Sequence, residues 1–135
     1  MLKHLTFVLL SSVTTLAFAQ DAGWFHIATS SDGNDDYSVK MHSGELTQNK
    51  DGQIIEVIVG QVSHKRAQTV EVVKWYVATT DCAQGYGDLV ILDIDGNYEG
   101  KNAFAQGGKN IASGIASIIC KAAKSNGQKS VGGNA

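Results

Sequence analysis

The chain has 135 residues, with 11 Lys or Arg against 13 Asp or Glu and a net charge of −2. That balance excludes a general nucleic-acid binder, whose phosphate contacts need clustered cations. The length suits one domain with one core, and two cysteines allow at most one internal disulfide.

Residues 1–19 have the layout of a secretory signal peptide: Lys3 and His4, an apolar run from Leu5 to Leu10, a softer stretch to Leu16, and the small-x-small site Ala17-Phe18-Ala19. Ser11, Ser12, Thr14 and Thr15 break the run well short of the roughly 20 apolar residues that a membrane span needs. No cysteine stands directly after the cleavage site, so no lipid anchor is expected, and nothing later in the chain is long and apolar enough to suggest a membrane span. The expected locality is periplasmic or secreted. Cys82 and Cys120 then lie in an oxidising compartment and read as one disulfide.

Short strand-like runs follow, separated by turns. Gly23–Thr29 is aromatic-rich, Ser30–Asp35 is a polar turn, and Tyr37–Met41 alternates apolar and polar. Asn49–Gly52 is a second turn. Ile54–Val59 is a β-branched run, closed by the charged loop His64-Lys65-Arg66. Val70–Thr80 is a longer run whose alternation is imperfect, as a bulge or a second buried face would make it. Gly85-Tyr86-Gly87 reads as a turn, and Asp95-Gly96 closes a hairpin after Leu89–Leu92.

The period then changes to helical. Ile111, Ile115, Ile118, Ile119 and Ala122 fall on one face, Asn110 is placed to cap the helix, and Gly114 weakens its middle by roughly 1 kcal/mol relative to Ala. The fold expected is α+β: an antiparallel sheet of about five to six strands with a C-terminal helix tethered by one disulfide. Residues 20–124 form the single globular domain, and residues 125–135, polar and Gly-rich, are expected to be a disordered tail.

Motifs that carry chemistry are scarce. Asp32-x-Asn34-x-Asp36 and Asp93-x-Asp95-x-Asn97 space oxygens as calcium loops do, but Tyr37 and Tyr98 stand where the sharp turn needs Gly. The sequence has no nucleophile elbow and no phosphate loop, and its histidines have no metal-ligand spacing. No catalytic residue, cofactor or metal is assigned, and the expectation is a binding protein rather than an enzyme. Trp24, Phe25, Trp75 and Tyr76 read as core in preference to a binding face. His64, Lys65 and Arg66 form the one compact basic cluster and the candidate partner-binding site.

Trp24, the segment Asp36-Tyr37-Ser38-Val39, Tyr76 followed by Asp81-Cys82, the Gly96 turn and the closing Cys120 together resemble the surface-adhesin protein E-like domains of Gram-negative bacteria. The resemblance spans about Trp24 to Cys120. It implies a sheet carrying a disulfide-linked helix and a protein partner on a host matrix or cell surface. The alternative expectation is a periplasmic inhibitor or immunity-type protein that blocks an enzyme. Intact-mass measurement of protein recovered from periplasm or medium is expected to show loss of residues 1–19. A full-length species held in the membrane would contradict the signal assignment.

Overall fold

The computed structural model describes residues 23–132. The expected signal peptide therefore lies outside the described residues. Seven strands and two helices follow in chain order: β1 (Trp24–Thr29), β2 (Asp35–Lys40), β3 (Glu45–Gln48), β4 (Ile54–His64), β5 (Thr69–Ala78), α1 (Thr79–Gln84), β6 (Tyr86–Asp93), β7 (Tyr98–Ala105) and α2 (Ile111–Gly132). All strand pairs are antiparallel, in the order β1-β2-β4-β5-β6-β7, with β3 on β4. The α+β class and the tethered helix are as expected. The strand missing from the count of five to six is β3, four residues with one apolar side chain, Leu46, and so no readable period.

β2 and β3 share one edge of β4. β2 pairs along Gly60–His64 and β3 along Ile54–Val57. Between them the chain leaves the edge through His42, which takes a left-handed φ of 62°. The gap costs no hydrogen bond at Val59, because the Ser43 hydroxyl accepts from its amide at 3.0 Å.

Directly paired residues share a face of a sheet, and successive residues alternate. One face of this sheet thus carries Val39, Ile58, Val62, Val73, Trp75, Val77, Leu89 and Phe104, all buried and in one cluster with α2. Trp75 fixes the centre of that face. A Cβ on Gly60 would sit 2.1 Å from the Trp75 ring, so only glycine lets the indole lie across β4. The imperfect alternation of β5 needs no bulge: its register with β4 and β6 is unbroken, and both of its faces are partly apolar.

The sheet curls. Ala105, in edge strand β7, donates its amide to Ser113 Oγ at 3.1 Å. Ile27, in the opposite edge strand β1, lies 3.5 Å from where a Gly114 Cβ would be. Both edges therefore close on the first turns of α2, where Ala112, Ser113, Gly114 and Ala116 keep the helix thin enough to fit. The Asn110 cap is present: Oδ1 accepts from the Ser113 amide at 3.2 Å, while Nδ2 donates to Ala103 O at 3.0 Å. The cap thereby also covers part of the free edge of β7. The buried stripe is Ala112, Ile115, Ala116, Ile119 and Ala123, turned from the one read in the sequence, with Ile111, Ile118 and Ala122 half-buried at its margin. Ile115 and Ile119, each about 2% exposed or less, contribute roughly 1.5–3 kcal/mol apiece.

Two expectations are corrected. Gly85-Tyr86-Gly87 is not a simple turn: Gly85, at φ 85°, ends α1, and Tyr86 opens β6. Residues 125–132 are not a disordered tail, because α2 continues through Gly132. Composition gave no warning of the tertiary anchor near their start: Asn126 Nδ2 donates to Gly44 O at 3.2 Å and to Glu56 Oε1.

Cys82 in α1 and Cys120 in α2 form the disulfide, with Cα atoms 5.4 Å apart. Replacing both with alanine is expected to cost about 2–5 kcal/mol. Amide hydrogen exchange should quicken in α2 before it does in the β4–β5 pair. Unchanged exchange in α2 would show that packing alone holds the helix.

Candidate functional site

His64, Lys65 and Arg66 do come together, at the turn joining β4 to β5, but not as a free cationic patch. Three acids on the neighbouring β1–β2 turn and β2 meet them one by one. His64 Nδ1 lies 2.7 Å from Asp35 Oδ1, Lys65 Nζ lies 3.2 Å from Asp36 Oδ2, and Arg66 lies 3.9 Å from Asp32 Oδ2. Glu71 approaches the other His64 nitrogen at 3.6 Å. The hydrogen bond to Asp35 raises the His64 pKa above the ordinary 6.5, with Glu71 adding to it against some desolvation. The hydroxyl of Thr29 holds the Asp36 pKa below its usual value. Cations that look available in the chain are neutralised in the fold, and this end of the molecule is acidic on balance.

The Asp-rich turns likewise spend their oxygens locally. Asp93 Oδ1 accepts from the Asp95 and Asn97 amides at 2.9 and 2.8 Å, and Oδ2 accepts from Asn97 Nδ2 at 3.0 Å. These bonds hold its pKa low. Asp32 Oδ1 accepts from the Ser30 hydroxyl at 2.6 Å and from the Asn34 amide at 3.0 Å. Both segments are Asx-type turns.

The surface that the sequence reading missed is the convex side of the sheet. Glu45, Val57, Tyr76, Val90 and Lys101 form one continuous cross-strand row over five strands. The next row is Val59, Lys74, Leu92 and Tyr98, and the one beyond contains Ser38, Gln61 and Val72. α2 lies in the trough on the other side, and no described element packs on these rows. An antiparallel sheet with one solvated face ordinarily turns polar residues outward. Here the outward residues are largely valine, leucine and tyrosine, with Val70 60%, Val72 38%, Tyr86 61% and Tyr98 63% exposed. Trp24 and Tyr76, expected in the core, sit half-buried on this side, and Phe25 is 50% exposed; of the four aromatics only Trp75 is core. The signal was present in β5 as its second apolar phase, but periodicity could not say that the second face stays uncovered.

Glu56 is a further residue the chain did not advertise. It points into the trough, paired in register between Leu46 and Val77, and is fully buried. Oε1 accepts from Asn126 Nδ2, and Oε2 has no hydrogen-bond partner. Burial raises its pKa above the ordinary 4.5, Glu45 adds to the rise, and Asn126 offsets part of it.

No family model, curated protein or solved structure matches this chain. Among the described residues, no helix is long and apolar enough to cross a membrane. The fold and surface define a disulfide-braced α+β domain with one apolar sheet face left open.

The Glu56 shift has a testable sign. Below pH 4.5 the acid is protonated both folded and unfolded, and its contribution is complete. As pH rises past 4.5 the unfolded chain releases this proton first, so stability falls until the folded value is passed. Glu56→Gln should flatten this part of the profile of urea midpoint against pH above 4.5. A variant with the same slope as the parent would show that Glu56 is ionised without penalty.

Proposed function

We propose that this chain is an exported binding domain that docks a protein partner on the convex face of its sheet. The observation that carries the reading is the apolar row Val57–Tyr76–Val90 with its exposed neighbours Val72 and Tyr98, on rows that no described element covers. Contiguous exposed apolar surface on a domain that is otherwise well packed marks an interaction site. The half-buried tyrosine and valines suit an interface with an aromatic centre and polar ends, here Glu45 and Lys101, with Lys74 as a charge inside it. The disulfide and the absence of a membrane-spanning helix among the described residues are compatible with a periplasmic or extracellular setting. The resemblance to surface-adhesin domains supports the same class of activity, with a host surface protein as partner. The basic cluster is not the docking surface in this reading, because its charges are already matched by Asp32, Asp35 and Asp36.

Residues 20–135, immobilised, are expected to retain a partner from periplasmic extract or from extracellular-matrix protein. Val72→Lys with Tyr98→Lys should reduce that retention at least about tenfold while the thermal melt stays unchanged, since both positions are exposed. A retained matrix protein identifies an adhesin, and a retained hydrolase identifies an inhibitor. Equal retention by the double variant, or retention from neither source, would overturn the reading.

A further inference from the structure

The trough that holds α2 is not filled to its end. A cleft of about 510 Å³ near the β2–β3 interruption and another of about 460 Å³ near the start of α2 remain open. The second has the more specific chemistry. Its floor is Trp75, Leu89 and Ile115, each about 2% exposed. Tyr37 and Asn102 stand at its sides, with the Tyr37 and Trp75 rings 6.5 Å apart and tilted by 35°.

The strand registers place acids on the same face, just beyond this aromatic floor. Asp35 is two residues from Tyr37 along β2, and Glu71 pairs with Val62, the cross-strand neighbour of Tyr37. Asp93 pairs with Val73 on that face as well. The one base on this face of the strands is His64, which two carboxylates share, so among those three groups a negative charge is left over even when its imidazole is protonated; Lys109 precedes Asn110 of the lining and is exposed. Lys65 and Arg66 are engaged by Asp36 and Asp32. At the start of α2 one amide, that of Ser113, is taken up by Asn110 Oδ1 at 3.2 Å. The Tyr37 phenol reports the same field: burial raises its pKa, and Asp35 and Asp32 raise it further.

We propose that this cleft is a binding site for a small organic cation with an apolar body, such as a quaternary ammonium or a protonated aromatic amine. The Tyr37 and Trp75 rings and the aliphatic floor take the apolar part, and a ring face attracts a cation placed over it. Asp35 and Glu71 supply the field that selects positive charge over negative. The volume lies within the range of small-molecule sites, and the lining has their usual make-up of mostly apolar groups with a few polar ones. The site lies on the side of the sheet opposite the apolar rows, so it stands or falls independently of the protein-binding reading.

The test is a titration of the isotope-labelled domain, residues 20–135, followed by amide and indole NMR shifts. Benzyltrimethylammonium is the probe, with benzyl alcohol as its neutral counterpart and benzoate as its anionic one. Saturable shifts are expected for the cation at Tyr37, the Trp75 indole, Asn102 and Ile111, with weaker binding of the alcohol and none of benzoate. Glu71→Gln and Tyr37→Leu should each raise the dissociation constant of the cation about three- to fivefold. Lys101→Gln, on the opposite face, should leave it unchanged. The proposal is overturned if benzoate binds as well as the cation, if the shifts fall on the convex face, if Glu71→Gln has no effect, or if no shift saturates.

Discussion

Two edges of one sheet close on the same turn of one helix, and most of the architecture follows from that constraint. Ile27 of β1 and Ala105 of β7 both reach α2 within Ser113–Gly114, so the sheet must be a trough rather than a plane. A helix is about 10 Å across with ordinary side chains. Ala112, Ser113, Gly114 and Ala116 thin it at the point of closure, which turns a composition that weakens the isolated helix into the one that fits. An added Cβ at Gly114 would meet Ile27 at an ordinary 3.5 Å, so the close approach leaves room there for a residue no larger than alanine. The disulfide fixes the same helix from α1 and leaves its position along the trough determined.

The same closure decides where surface is left over. A single helix fills the concave side only over its own length, so the aromatic end of the trough beyond Ile111 stays open. Nothing described packs on the middle rows of the convex side, although Ile55 and Ala78 at one end of it are buried. The apolar rows there are not a packing error of the core, because the core residues Val73, Trp75 and Val77 alternate with them along β5 and point the other way. Both candidate binding regions are therefore products of one curvature, one on each side of the sheet.

Charge is arranged with comparable economy. The β4–β5 turn carries three bases in sequence, and the β1–β2 turn with the start of β2 carries the acids that meet them. Exposed pairs of this kind add little stability individually. Their consequence is the local potential: after pairing, the carboxylates outnumber the bases. Glu56 is the opposite case, a carboxyl taken out of water for the sake of one hydrogen bond to α2. Breaking it would free the part of the helix that composition marks as a tail.

Period-2 and helical patterns in the chain were enough to place β1, β2, β4, β5 and the start of α2, because those segments repeat apolar residues over several turns of their own period. Export logic and an even cysteine count were enough to pair Cys82 with Cys120. β3 was not legible, since Glu45–Gln48 holds one apolar residue and owes its strand form to the free edge of β4. The helical state of residues 125–132 was not legible either, since Asn126 is held by Gly44 and by Glu56, the latter 70 residues away. The sequence could nominate His64, Lys65 and Arg66 by their adjacency, but adjacency says nothing about the acids that fold against them. Local pattern determines which residues prefer a strand or a helix. Which sheet face is covered, and which charges remain unmatched, depends on segments distant in the chain, and only the tertiary structure brings those together.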